Sequence, residues 1–136
     1  MEEPLNPIAM GIICGATYVA RGFAYEIKHL IALINGAIER KGFALVDIFQ
    51  PCSTYNKVET LQWYKENIKK LEDQGHDPMD KAAALVRAMQ WEPGNVPIGL
   101  FYKEEGTPTY DGQAGRLAVN DNISDIDISP TLAKMK

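Results

Sequence analysis

The chain has 136 residues, 46% hydrophobic and 24% charged, with 14 basic against 18 acidic side chains for a formal charge of −4. That composition suits one soluble domain able to bury about two-thirds of its unfolded surface, and it argues against a nucleic-acid module, which carries a basic face. No apolar run reaches the roughly 20 residues that cross a bilayer, the start MEEPLNPIAM is acidic where a secretory leader is basic, and two cysteines are too few for a disulfide framework, so the expected setting is a reducing, cytoplasmic one without a membrane partner.

Asn6-Pro7 reads as the cap and first turn of a short helix through Ile8, Ala9, Ile12 and Ile13, closed by Gly15. ATYVARGF is rich in strand formers and is expected to break at Gly22. Glu26 to Arg40 has helical spacing, with Leu30, Ile34, Ala37 and Ile38 on one face and Lys41-Gly42 as the stop. FALVDIF is nearly all apolar, the look of a parallel strand covered on both faces. Strand, helix and strand together predict a βαβ unit.

The composition turns charged after Asn56. VETLQWYKENIKKLEDQGHD predicts one helix with Leu61, Tyr64, Ile68 and Leu71 as its inner stripe. Pro78 to Gln90 predicts a second, packed through Met79, Ala82, Ala83, Val86 and Met89. WEPGNVP is a turn, IGLFYKE a late strand, and the tail after residue 113 is expected to be loose or partner-bound. Trp63 and Trp91 are expected to pack the second half on the first. The fold class is therefore α/β: a partial parallel sheet followed by a mostly helical extension with a late strand.

Cys52 follows the carboxyl end of FALVDIF, and in open α/β sheets ligands sit beyond that end. Two readings of it stand, a small buried hydrophobe and a ligand or reactive group. Cys14, beside Ile12 and Ile13, reads as core; His29 as structural or surface; His76 as an exposed turn residue. Asp47 interrupts an apolar strand and needs a partner, for which Arg21, Lys57 and backbone donors are candidates. The residues assemble no nucleophile–histidine–acid set, no glycine-rich phosphate loop and no multi-cysteine metal motif.

GATYVARGF, HLIALINGAIERKGFALVDIFQPCSTYN, WYKENIKKLE and VPIGLFYKEEGTPTYD, in that order, resemble the C-terminal half of the β subunit of 2-oxoacid:ferredoxin oxidoreductases, over residues 6 to about 113. KGFALVDIFQPCSTYN carries most of the specificity. The resemblance implies the second half of a thiamine diphosphate-binding domain over residues 1–57 and the C-terminal region of that β subunit over 58–136. It implies a share in the oxidative decarboxylation of pyruvate or 2-oxoglutarate to an acyl-coenzyme A, with electrons passed to ferredoxin. Cys52 matches the family's fourth [4Fe–4S] ligand, making it the one cofactor-binding and metal-ligating residue carried over; no catalytic residue is.

The family's other three cluster cysteines, and its Gly-Asp-Gly motif for magnesium and thiamine diphosphate, have no counterpart in this sequence. The chain alone is therefore expected to bind neither cofactor and to be inactive, as a truncated form or one piece of a split gene. The partners implied are the remainder of the β subunit, an α subunit with γ and δ subunits as further candidates, ferredoxin and coenzyme A; a homodimer through uncovered strand edges is another. The rival reading is a non-catalytic binding or assembly module.

Overall fold

A computed structural model describes residues 5–109 of the chain. The first helix, α1, spans Pro7–Ile13, with the Asn6 side chain accepting the Ala9 amide at 3.0 Å and proline at the start of the helix. Strand β1 (Tyr18–Phe23) is buried along its whole length. Gly22 does not break it: a Cβ there would come 2.5 Å from Leu30 Cδ1, so the glycine lets helix α2 (Ile27–Glu39) lie close on the strand. Strand β2 (Ala44–Phe49) runs parallel to β1, from Tyr18 opposite Ala44 to Phe23 opposite Phe49, which completes the expected βαβ unit.

The charged segment departs from the expected single helix. Helix α3 covers Leu61–Asn67 only, capped by Thr60, and Ile68–Lys70 forms a short strand, β3. The Asn67 side chain explains the stop: its Nδ2 donates to the Trp63 carbonyl at 2.7 Å while its Oδ1 accepts the Gly94 amide at 2.6 Å, tying the helix end to a distant turn. A 3₁₀ turn (Glu72–Gln74) follows, ended by Gly75 at φ 65°. Helix α4 spans Lys81–Ala88, starting after Pro78 because Asp80 is its cap, accepting the Ala83 amide at 3.0 Å.

The late strand, β4 (Val96–Lys103), lies antiparallel to β1 and parallel to β3, so the sheet order is β2-β1-β4-β3. The sheet is thus a mixed one in which the late strand takes an inner place. Its register against β1 shifts between Val19 and Ala20. Beyond this irregularity Gly99, at φ 119°, pairs with Arg21 and faces the Glu72 carboxylate, whose Oε1 accepts the Leu100 amide at 3.0 Å.

One face of the sheet packs Val19 and Phe101 against Ile8 and Ile12 of α1 and Ala84 and Ala88 of α4. The other packs Tyr18 and Ala20 against Leu33 of α2. Three expectations about packing need correction. On α2 the buried residue is Leu33, while Ile38 is exposed. On α4 the small Ala84 and Ala88 are buried while Val86 is exposed, as are Met79 and Met89 on either side of the helix, because short side chains let α4 approach α1 and the sheet. β2 is half-buried rather than sealed on both faces, since its outer edge is unpaired among the described residues. The expectation for the tail after residue 113 lies outside the described residues.

Candidate functional site

The carboxyl end of β2 is held by aromatic and ionic contacts. Phe49, its last residue, packs on Tyr64 with ring centres 5.1 Å apart and meets the edge of Trp91 at 5.5 Å. Trp91 thereby joins the second half of the chain to the first, and Trp63 stacks on it at 6.3 Å and packs against the cluster that contains Phe23. The Phe49 carbonyl accepts the Ala24 amide at 3.0 Å.

Arg21 lies beneath this cluster. It is 4% exposed, it stands opposite Asp47 in the parallel register, and its Nε donates to Asp47 Oδ2 at 2.7 Å. Among the three partners the sequence left open for Asp47, Arg21 is therefore the one used; the Lys57 ammonium instead donates to the Ser53 carbonyl. The guanidinium carbon also sits 4.6 Å from the Phe49 ring centre, with the Trp91 and Phe101 rings within 6 Å. Burial pushes the Arg21 pKa down, and the bond to Asp47 and its charge oppose that shift. Arg21 Nη1 is sealed from solvent and has no hydrogen-bond partner among the described residues. A cleft of about 480 Å³ opens beside the pair, lined by Asn6, Arg21, Asp47, Phe49, Glu59 and Trp91 among others. The sequence singled out Arg21 and Asp47; it gave no sign of the cleft, which needs α1, β2 and the residues after α4 brought together.

Cys52 stands three positions beyond Phe49 and is exposed, so the buried-hydrophobe reading is excluded. The loop folds back on it: the Asn56 amide donates to the Cys52 carbonyl at 3.1 Å. Hydrogen bonds from the Tyr55 and Thr54 amides, and a lesser one from Asn56, push the thiol's pKa below its ordinary value against a small opposing effect of burial. Asn56 then fixes the far end of the loop, its Oδ1 accepting the Val58 and Glu59 amides at 3.0 and 2.9 Å. The sulfur is exposed, and the neighbouring backbone amides favour its ionised form. The amides come from residues 54–56 whatever their side chains, so only the Ser-Thr flank hinted at them in the sequence.

Cys14, expected in the core, is exposed at the C-terminal cap of α1, where the helix has ended and the chain turns away. His76 is half-buried rather than exposed, with its Nε2 2.7 Å from the Phe101 carbonyl. His29 is half-buried, with its Nε2 3.5 Å from Glu72 Oε1. Among the described residues no group of three or more His, Cys, Asp or Glu side chains is placed to hold a metal ion, and no helix is long and apolar enough to cross a membrane. Cys52 on its own offers a single sulfur donor.

The family described as the C-terminal region of the pyruvate ferredoxin oxidoreductase beta chain matches residues 52–118. The β subunit of the 2-oxoacid:ferredoxin oxidoreductase of Saccharolobus solfataricus is 42% identical over 121 residues, covering 82% of this chain and 39% of that protein. The β subunit of the 2-oxoacid:ferredoxin oxidoreductase 1 of Aeropyrum pernix is 36% identical over 142 residues, covering 97% of this chain and 43% of that protein. A solved structure of the 2-oxoglutarate:ferredoxin oxidoreductase from Magnetococcus marinus, with 2-oxoglutarate, coenzyme A and succinyl-CoA bound, superposes with a TM-score of 0.76 at 35% identity, over 99% of this chain and 46% of that one. The chain thus spans less than half the length of these relatives. Sequence and fold agree, and the chain corresponds to the C-terminal region of a 2-oxoacid:ferredoxin oxidoreductase β subunit.

Proposed function

We propose that this chain supplies, through Cys52, one thiolate ligand to the [4Fe–4S] cluster of a 2-oxoacid:ferredoxin oxidoreductase, and so takes part in oxidative decarboxylation of a 2-oxoacid to its acyl-coenzyme A. A cluster of that type takes four thiolates, so the other three come from the remainder of the β subunit. When bound, the cluster stores and passes single electrons toward ferredoxin. Magnesium and thiamine diphosphate belong to the complete enzyme in this reading, and the residues of this chain carry no step on their behalf. The expected companions are the rest of the β subunit, an α subunit, ferredoxin and coenzyme A. Residues 1–57 would complete the cofactor-binding α/β domain and 58–136 would form the C-terminal region.

The observation that carries this reading is the exposed Cys52 three residues beyond the carboxyl end of β2, in a loop whose backbone amides lower its pKa. Those donors favour the ionised sulfur, which is the form that ligates iron. Anaerobic assembly with a β-subunit segment bearing the other cysteines tests it. The brown visible absorption of the cluster should form, vanish with Cys52→Ala and survive Cys14→Ala. Equal loss from both substitutions, or survival of the colour without Cys52, contradicts it.

A further inference from the structure

Cys52 through Tyr55 are all exposed, so no core packing holds the sulfur; besides the loop's own bonds to the Cys52 and Ser53 carbonyls, its two ends set its position. The far end is held by Asn56, which accepts the Glu59 amide and donates to its carboxylate at 3.2 Å. The near end is Phe49, and Arg21 holds it together with Tyr64, Trp91 and the bond from the Ala24 amide. One guanidinium grips two residues of the same strand: Asp47 through an ion pair at 2.7 Å and Phe49 through its ring face at 4.6 Å. These side chains lie on the same face of β2, two positions apart, so together they define the strand's final direction.

We propose that Arg21 is a positioning residue for Cys52, holding the carboxyl end of β2 so that the following loop presents its sulfur toward the shared cluster. This rests on the function proposed above. The role requires the planar shape of the guanidinium as well as its charge. A lysine can keep the ion pair to Asp47, but it offers no flat surface to the Phe49 ring. Arg21 itself touches no reacting atom in this account.

The experiment uses the chain assembled anaerobically with the companion β-subunit segment, and compares Arg21→Lys and Phe49→Leu with the parent. Each is read by thermal melting, by the electron paramagnetic resonance spectrum and midpoint potential of the reduced cluster, and by the rate at which a chelator removes iron. Arg21→Lys should melt near the parent because the ion pair survives. Its resonance line shape and potential should nevertheless change, and it should lose iron about tenfold faster, the effect typical of disturbing a ligand's support. Phe49→Leu keeps the Arg21–Asp47 pair and should show the same spectroscopic change, so the idea does not depend on one variant folding. Parent-like spectra, potentials and iron retention in both variants, with the cluster still absent in Cys52→Ala, overturn the positioning role and leave the proposed function intact. A cluster that persists in Cys52→Ala overturns both.

Discussion

Arg21 and Asp47 face each other in register across two parallel strands, and their side chains meet at 2.7 Å while Arg21 keeps 4% and the Asp47 side chain 25% of its surface exposed. Such a pair is costly to break from one side, because the surviving charge is left buried alone. Asp47→Ala should therefore lower stability by about 3 kcal/mol, the low end for a buried pair since Asp47 is partly solvated. The double change Arg21→Met with Asp47→Leu should recover most of that loss. Urea unfolding of the two variants checks this; a double variant no more stable than Asp47→Ala would contradict it.

Gly36 is set by a hydroxyl on the neighbouring strand. The Tyr18 hydroxyl donates to the Leu33 carbonyl at 3.0 Å, and a Cβ on Gly36 would come 2.7 Å from that oxygen. Alanine usually favours a helix by about 1 kcal/mol over glycine, but overpacking a core costs about 1–3 kcal/mol. Gly36→Ala should therefore destabilise the fold, and should cost less in a Tyr18→Phe background, where the hydroxyl is gone. A stabilising Gly36→Ala in the parent would show that α2 sits further from β1.

Alkaline pH should weaken the fold through its tyrosines. Burial raises the pKa of Tyr18, with the Glu72 charge adding to the rise, and burial likewise raises Tyr64 and Tyr102. The folded state then holds these protons more tightly than the unfolded chain. Their contribution is fully present below the ordinary tyrosine value of about 10 and is lost as pH climbs through the raised folded values. Tyr18→Phe should lower stability at neutral pH by about 1 kcal/mol, the worth of one hydrogen bond, and should make the alkaline loss shallower. Denaturation at pH 7 and in the alkaline range measures both; an unchanged alkaline slope would mean that Tyr18 does not contribute to it.

The Cys52 thiol is depressed by the amides of Tyr55, Thr54 and Asn56. Its alkylation should therefore titrate below the ordinary cysteine value of about 8.5 in the folded chain, and return to it in urea, where the loop no longer converges on the sulfur. Site-resolved mass spectrometry across pH follows the residue directly. Identical profiles with and without urea would show that the loop amides do not depress this thiol.

Sequence reading located Cys52 because a buried-looking strand running into Pro51 fixes where its carboxyl end falls, whatever surrounds it. It found the βαβ unit for a similar reason, since apolar runs and helical spacing are local properties. β3 was hidden because Ile68–Lys70 continues a helical pattern, and only pairing with Val96–Ile98 makes it a strand. Leu33 was missed in favour of Ile38 because one helical position decides which side chain meets Tyr18 and Ala20. The exposure of Cys14 and the amides around Cys52 depend on where a helix stops and how a loop turns, and composition does not encode either.

The most direct measurement of the central claim is the electron paramagnetic resonance spectrum of the assembled, reduced protein with Cys52→Ser. Serine offers an oxygen where the thiolate would bind, so the account expects a cluster with an altered signal and a shifted potential, while Cys14→Ser keeps the parent spectrum. A Cys52→Ser spectrum indistinguishable from the parent would show that this sulfur does not ligate iron.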